Sequence, residues 1–144
     1  MRSKQLEILR LDRNPGMKAA VSTCIYNLAF SPKIRHIDLA GLGSADANVA
    51  EALYKLVKIS GAIETLNLSR TGVQAHLAQE FYVALGENKT LKYLNLDSDK
   101  AISQSAALQW AGRAVAMNAY RNGALEALSL AGWFANHQRF AAFY

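Results

Sequence analysis

Leu91-Lys92-Tyr93-Leu94-Asn95-Leu96 carries a leucine spacing that returns four more times along the chain. The other copies are Leu6-Glu7-Ile8-Leu9-Arg10-Leu11, Ile34-Arg35-His36-Ile37-Asp38-Leu39, Ile63-Glu64-Thr65-Leu66-Asn67-Leu68 and Leu125-Glu126-Ala127-Leu128-Ser129-Leu130. The copies start at positions 6, 34, 63, 91 and 125, so three steps are 28 or 29 residues long and the last is 34. A fixed period of this size predicts stacked supersecondary units with one continuous core.

This spacing resembles the leucine-rich repeat family, L-x-x-L-x-L, and the repeat length resembles its ribonuclease-inhibitor-like class. The resemblance covers nearly the whole chain. It implies an α/β fold: a right-handed solenoid, or horseshoe segment, of about five repeats, with parallel strands on the concave face and helices on the convex face. We therefore expect residues 1–144 to form one leucine-rich repeat domain, and a fragment of a longer protein is an open alternative.

Three residues after its last leucine, the family often carries Asn or Cys, which bonds to neighbouring backbone. Only the first copy matches this pattern. The five residues at this position are Asn14, Leu42, Thr71, Asp99 and Trp133. We therefore do not expect an asparagine ladder along the array.

Composition favours an ordinary soluble domain, because 51% of the residues are hydrophobic and 19% are charged. No run of about 18 apolar residues predicts a membrane span. Cys24 is the single cysteine and lies on an apolar helical pattern, so we expect a buried thiol and no internal disulfide. These features favour a cytoplasmic, intracellular protein without a membrane partner.

The net charge of +5 raises the question of nucleic-acid binding. The cations are spread along the chain, with no tract of five or more. A basic footprint clustered on one face is what such binding requires. We therefore interpret the charge as a mildly basic solvated surface and expect no nucleic-acid partner.

Side chains alternate along a strand, so every copy of the motif should present the same registers to the concave side. Three columns follow: Ile8, His36, Thr65, Tyr93, Ala127; then Arg10, Asp38, Asn67, Asn95, Ser129; then Asp12, Ala40, Ser69, Asp97, Ala131. Arg10 should pair with Asp38, and Tyr93 is the best single anchor for a partner. The predicted partner-binding residues are Arg10, Asp12, His36, Asp38, Thr65, Asn67, Tyr93, Asn95 and Asp97.

A fourth column changes the sign of its charge at every step: Glu7, Arg35, Glu64, Lys92, Glu126. Opposite charges on neighbouring strands stabilise the correct register by about 0.2–1 kcal/mol for each exposed pair. We favour a cross-strand charge ladder over a charged binding site.

The last repeats depart from the pattern. The fourth is six residues longer than the 28-residue repeats. We expect its helix at about residues 103–117, with Leu108, Ala111 and Val115 inward, and the extra length in the loop 118–123. Five aromatic residues then fall within the last twelve: Trp133, Phe134, Phe140, Phe143 and Tyr144. Because end repeats of a solenoid must be capped, this tail is expected to cap the fifth repeat, with a dimer or partner contact as the alternative.

The motifs argue against an enzyme. His36 and Asp38 share a strand face, but no Ser or Cys nucleophile and no third metal ligand stands near them in the pattern. In the glycine turn Gly41-Leu42-Gly43-Ser44, Asp46 replaces the third glycine of a dinucleotide loop. We therefore expect no catalytic residues, no metal and no cofactor.

The function expected from the resemblance is a non-enzymatic protein–protein interaction module that binds its partner through the concave strand face. Two classes of partner stay open. The segment Glu87-Asn88-Lys89-Thr90-Leu91-Lys92-Tyr93-Leu94-Asn95-Leu96 is similar to tropomodulin-type repeat domains, which implies an actin or cytoskeleton regulator. The alternative is a recognition domain of an adapter, immune-type receptor or effector.

Overall fold

A computed structural model describes residues 8–10, 18–42, 46–99 and 105–133, which form five parallel strands and four α-helices. In chain order the elements are β1 Ile8–Arg10, α1 Lys18–Leu28, β2 His36–Asp38, α2 Ala47–Ile59, β3 Thr65–Asn67, α3 Gln79–Glu87, β4 Tyr93–Asn95, α4 Ser105–Tyr120 and β5 Ala127–Ser129. A short 3-10 helix, Val73–Ala75, precedes α3. Within these ranges no helix has the length and apolar character needed to cross a membrane.

The five strands form one sheet in the order of the chain, and every neighbouring pair is parallel. Its register aligns Ile8, His36, Thr65, Tyr93 and Ala127 in one row, and Arg10, Asp38, Asn67, Asn95 and Ser129 in another. These rows match the first two predicted columns. The leucine spacing therefore predicted both the strands and their pairing.

A single hydrophobic core lies between the sheet and the helices. The middle residue of each strand from β2 to β5 points into it and is buried: Ile37, Leu66, Leu94 and Leu128. Leu9 on β1 is only partly buried. Each helix packs against its neighbour in sequence, α1 on α2, α2 on α3 and α3 on α4.

Helix α2 begins at a capping aspartate. Asp46 is the N-cap, and its Oδ1 accepts hydrogen bonds from the backbone N–H groups of Asn48 (3.0 Å) and Val49 (3.1 Å). An acceptor at this position satisfies donors that the first turn leaves without intrahelical partners. Four apolar residues at helical spacing face the core from this helix and are buried: Val49, Leu53, Leu56 and Val57.

Two expectations about helices were wrong. Cys24 is half-buried rather than buried, and burial raises the pKa of its thiol. The segment 118–123 is not simply a loop, because α4 continues to Tyr120 and buries Asn118.

Small residues bring α4 close to α3. Ala107, Ala111 and Ala114 are its buried apolar positions, whereas the expected Leu108 and Val115 are only partly buried. Gly86 on α3 faces this contact, since a Cβ built there would lie 3.1 Å from Cβ of Met117. Larger side chains at these positions would force the helices apart.

Other side chains take the place of an asparagine ladder at the turns that follow the strands. Thr71 Oγ1 donates to the carbonyl of Leu68 (2.8 Å). Gln74, fully buried, reaches carbonyls of two repeats through Nε2, including Leu96 (2.9 Å) and Asp97 (2.7 Å). The indole N–H of Trp133 also donates to Leu96 (2.7 Å).

Trp133 is 2% exposed and belongs to the core, so it is not exposed for the alternative dimer or partner contact. It fills the turn of the fifth copy instead. The remaining tail residues, Phe134, Phe140, Phe143 and Tyr144, lie outside the described residues.

Candidate functional site

The outward side of the sheet carries the two aligned rows of side chains, which we call the polar strand face. Its members are Ile8, Arg10, His36, Asp38, Thr65, Asn67, Tyr93, Asn95, Ala127 and Ser129. All ten line an open depression of about 530 Å³. Seven of the nine predicted site residues lie on this face, and an eighth, Asp97, lies two residues after Asn95. Asp12 lies outside the described residues.

The first row combines two exposed apolar groups with a polar pair. Ile8 and Tyr93 are 56% and 46% exposed. His36 Nδ1 and Thr65 Oγ1 share a hydrogen bond of 2.8 Å between neighbouring strands. The hydroxyl of Tyr93 donates to Glu126 Oε1 at 2.8 Å, and this bond raises the pKa of Tyr93. The ring of Tyr93 is therefore held in place by its hydroxyl while the side chain stays exposed.

The second row contains the predicted ion pair. Arg10 Nε lies 3.8 Å from Asp38 Oδ2, across one strand step. The other carboxylate oxygen of Asp38 accepts the backbone N–H of Ala40 (3.0 Å). Both oxygens of Asp38 are thus engaged within the chain.

Asn67 and Asn95 repeat the backbone contact of Asp38. Asn67 Oδ1 accepts from the N–H of Ser69 (3.0 Å), and Asn95 Oδ1 accepts from the N–H of Asp97 (2.9 Å). A side-chain oxygen that accepts a backbone N–H two residues later closes the turn at the end of the strand. These residues were predicted only as a binding surface, and the structure shows that they also shape the backbone.

Asp97 has a structural task as well. Its Oδ1 accepts the backbone N–H of Ala131 (2.8 Å) and the hydroxyl of Ser129. It therefore connects the fourth and fifth copies of the motif. Ser69, at the matching position one copy earlier, is buried.

His36 and Asp38, weighed above as a catalytic or metal pair, bond to different partners, Thr65 and Arg10. Among residues 8–10, 18–42, 46–99 and 105–133, no three His, Cys, Asp or Glu side chains are grouped closely enough to hold a metal ion. The described residues of the face carry hydrogen-bonding groups, exposed apolar side chains and an ion pair.

The predicted charge ladder is present for its three middle members, whereas Glu126 accepts the hydroxyl of Tyr93. Glu64 lies between two cations, with Oε2 at 2.9 Å from Arg35 Nη1 and Oε1 at 3.8 Å from Lys92 Nζ. Glu7, the first member of this column, is outside the described residues. The pairing explains the alternating signs without a charged ligand.

A second depression, of about 240 Å³, lies between α3 and α4 and was not predicted. Val83 and Met117, 52% and 41% exposed, border it together with Trp110. Tyr82, whose ring lies 6.0 Å from that of Trp110, also lines it. Burial raises the pKa of Tyr82, whose hydroxyl has no hydrogen-bond partner among the described residues. The sequence signal for this depression was a set of apolar residues, among them Val83 and Met117, that do not face the core.

Comparison with known proteins places the fold. The chain is similar to the solved structure of the tropomodulin C-terminal domain from Caenorhabditis elegans, with a TM-score of 0.71 and 16% sequence identity over 93% of this chain and 77% of that one. No protein-family model matches the chain, and no curated protein matches it. At this identity the likeness shows a common fold: an α/β architecture, leucine-rich-repeat-like, with five parallel strands and four helices.

Proposed function

We propose that this chain is a non-enzymatic protein-binding module, built as a right-handed leucine-rich repeat solenoid of about five repeats of the ribonuclease-inhibitor-like class. Its partner binds the concave side of the sheet, which is the polar strand face. The observation that carries the proposal is the alignment of ten outward side chains from five strands around one open depression.

The dimensions of the face favour an extended segment or one helix of a partner protein. Adjacent strands lie about 4.8 Å apart, so five strands span roughly 19 Å. Tyr93 stands on the fourth strand and exposes a rigid aromatic ring next to polar neighbours. Such rings contribute more than most side chains to binding hot spots.

The polar strand face supports this function better than the depression between α3 and α4. It is more than twice as large, and it combines an aromatic anchor with hydrogen-bonding groups that can select a partner. The depression between the helices offers mainly apolar contact.

Capture of partners from a native extract tests the proposal, with three immobilised proteins compared side by side. The first is the wild type, the second Tyr93→Ala, and the third Tyr120→Ala, a matched control whose ring is 84% exposed on the helical side. We expect a partner that the wild type and Tyr120→Ala retain and that Tyr93→Ala loses. Equal retention by all three would place the site on the helices or loops.

A cytoskeletal role is the second candidate. It is supported by the resemblance of the segment 87–96 to tropomodulin-type domains and by the fold shared with the tropomodulin C-terminal domain. In this case the protein is intracellular and regulates actin. The purified chain should then change the growth rate of actin filament ends. Unchanged growth at saturating concentration would favour the recognition domain of an adapter, immune-type receptor or effector.

A further inference from the structure

The hydrogen-bond roles on the polar strand face are unequal. Each carboxylate or amide oxygen on it already accepts a bond or ion pair from this chain: both oxygens of Asp38, Oδ1 of Asn67 and Oδ1 of Asn95. The amide nitrogens of the same two asparagines have no hydrogen-bond partner among the described residues. The described part of the face therefore presents two amide donors without partners, on Asn67 and Asn95.

The orientation of both amides follows from chemistry. A backbone N–H can only donate, so the atom that meets Ser69 N–H or Asp97 N–H must be the side-chain oxygen. Each Nδ2 then points away from the turn. Asn67 and Asn95 are direct partners on neighbouring strands, which places two outward donors about one strand spacing, ~4.8 Å, apart.

We propose that these two amide donors recognise an acidic residue of the partner protein, whose carboxylate bridges Asn67 and Asn95. This inference rests on the proposed function and specifies its partner. A carboxylate presents two acceptor oxygens and forms strong bonds with two separate donors. Tyr93 borders the same site, so the acidic residue has an apolar neighbour in the partner segment.

The carboxylates of Asp38 and Asp97 lie near this site, and both are engaged within the chain. Asp97, two residues after Asn95, accepts the hydroxyl of Ser129 and the N–H of Ala131. Asp38, beside Asn67 on the next strand, is compensated by its ion pair with Arg10. A nucleic acid fits less well, because phosphate backbones are held by several Lys and Arg side chains that follow the strand. Arg10 is the fixed cation on the described part of the face. A protein carboxylate satisfies the donors without such a track.

The test exchanges donors for acceptors without removing the turns. Asn67→Asp with Asn95→Asp keeps both Oδ1 acceptors and replaces each amide nitrogen by an oxygen. Asn27→Asp with Asn48→Asp changes the net charge equally at exposed helical positions and is the matched control. Circular dichroism melts test whether each variant folds. If the double variant Asn67→Asp/Asn95→Asp does not fold, the single variants Asn67→Asp and Asn95→Asp are used in its place.

Twelve-residue random peptides displayed on phage are selected on the wild-type chain, and enriched peptides are synthesised and titrated by calorimetry. We expect peptides with Asp or Glu beside an apolar residue. Their affinity should fall about tenfold or more on the Asn67→Asp/Asn95→Asp variant and stay within about twofold on the control. If peptide affinity fell equally on this variant and on the control, net charge alone would explain the effect and the proposal would be overturned.

The remaining outcomes separate this inference from the proposed function. Peptides that lack acidic residues yet lose binding with Tyr93→Ala overturn the carboxylate site alone. Peptides unaffected by Tyr93→Ala, or no enrichment at all, count against the binding face and so against both. Binding of a single-stranded oligonucleotide that depends on Asn67 and Asn95 would replace the acidic segment by a phosphate ligand.

Discussion

Asn118 Nδ2 donates to the main-chain carbonyl of Asn88 at 3.0 Å, while Asn88 Nδ2 donates to the carbonyl of Val57 at 2.9 Å. Both asparagines are buried at the ends of helices, α3 in the case of Asn88 and α4 in the case of Asn118. Their amide oxygens accept backbone N–H groups further along, including that of Leu125 (3.1 Å) for Asn118. A ladder of buried amides thus joins α2, α3 and α4 at the C-terminal ends of these helices.

Two substitutions of Asn88 should lower the stability of the chain by different amounts. Asn88→Ala removes the donor to Val57 and the acceptor for Leu91, and we expect the free energy of unfolding to fall by about 3 kcal/mol. Asn88→Ser should lower it by about 1–2 kcal/mol, because Ser60 shows that a serine Oγ can keep the acceptor role. Urea denaturation measures both. Both variants lose the donor to Val57, so equal losses would mean that the acceptor bond from the N–H of Leu91 contributes nothing.

Two glycines with the same backbone angle provide a matched pair. Gly72 and Gly132 both have φ of +82°, which L side chains rarely adopt. A Cβ at Gly72 would meet nothing within 4 Å, whereas one at Gly132 would lie 2.0 Å from the carbonyl oxygen of Ser98. We expect Gly72→Ala to lower stability by about 1–2 kcal/mol, from backbone strain alone.

Gly132→Ala adds a clash with rigid backbone to the same strain. We expect a loss of about 3 kcal/mol or more, from strain and overpacking together. Thermal melts of the two variants under identical conditions make the comparison. Closely similar melting temperatures would show that the turn of the fifth copy does not approach Ser98 as described.

The sequence predicted the sheet well because the leucine period records which residues face the core, and that information is local. It predicted the polar face less well. Asn95 at the end of a strand has the same local context whether its amide meets a partner or closes a turn. Gln74 and Trp133 bond to carbonyls 22 and 37 residues away, at Leu96. Such contacts depend on how the copies stack, which a single motif does not encode.

The ion pairs of Glu64 should contribute modestly and depend on salt. Glu64→Gln removes the pairs with Arg35 and Lys92, whose side chains are both more than 40% exposed. Solvent screens exposed pairs, so we expect a loss of up to about 1 kcal/mol at low salt and little loss in about 1 M NaCl. Glu51→Gln, at an exposed position on α2, is the control. A loss that persists at high salt would point to packing rather than charge.

Trp133 and Gln74 both donate to the carbonyl of Leu96, so either alone can satisfy it. We expect Trp133→Phe to lower the free energy of unfolding by about 1–2 kcal/mol, because Gln74 still bonds to that oxygen. Trp133→Phe combined with Gln74→Leu leaves the carbonyl of Leu96 without either donor. The combined loss should therefore exceed the sum of the single losses by about 1 kcal/mol.

A double-mutant cycle measured by urea denaturation gives this coupling directly. Trp110→Phe is the matched control for loss of an indole, because Trp110 has no indole hydrogen bond among the described residues. Combined with Gln74→Leu, it should be additive within about 0.5 kcal/mol. If Trp133→Phe were equally additive, the two donors would act independently and the shared carbonyl would not couple the third copy to the fifth.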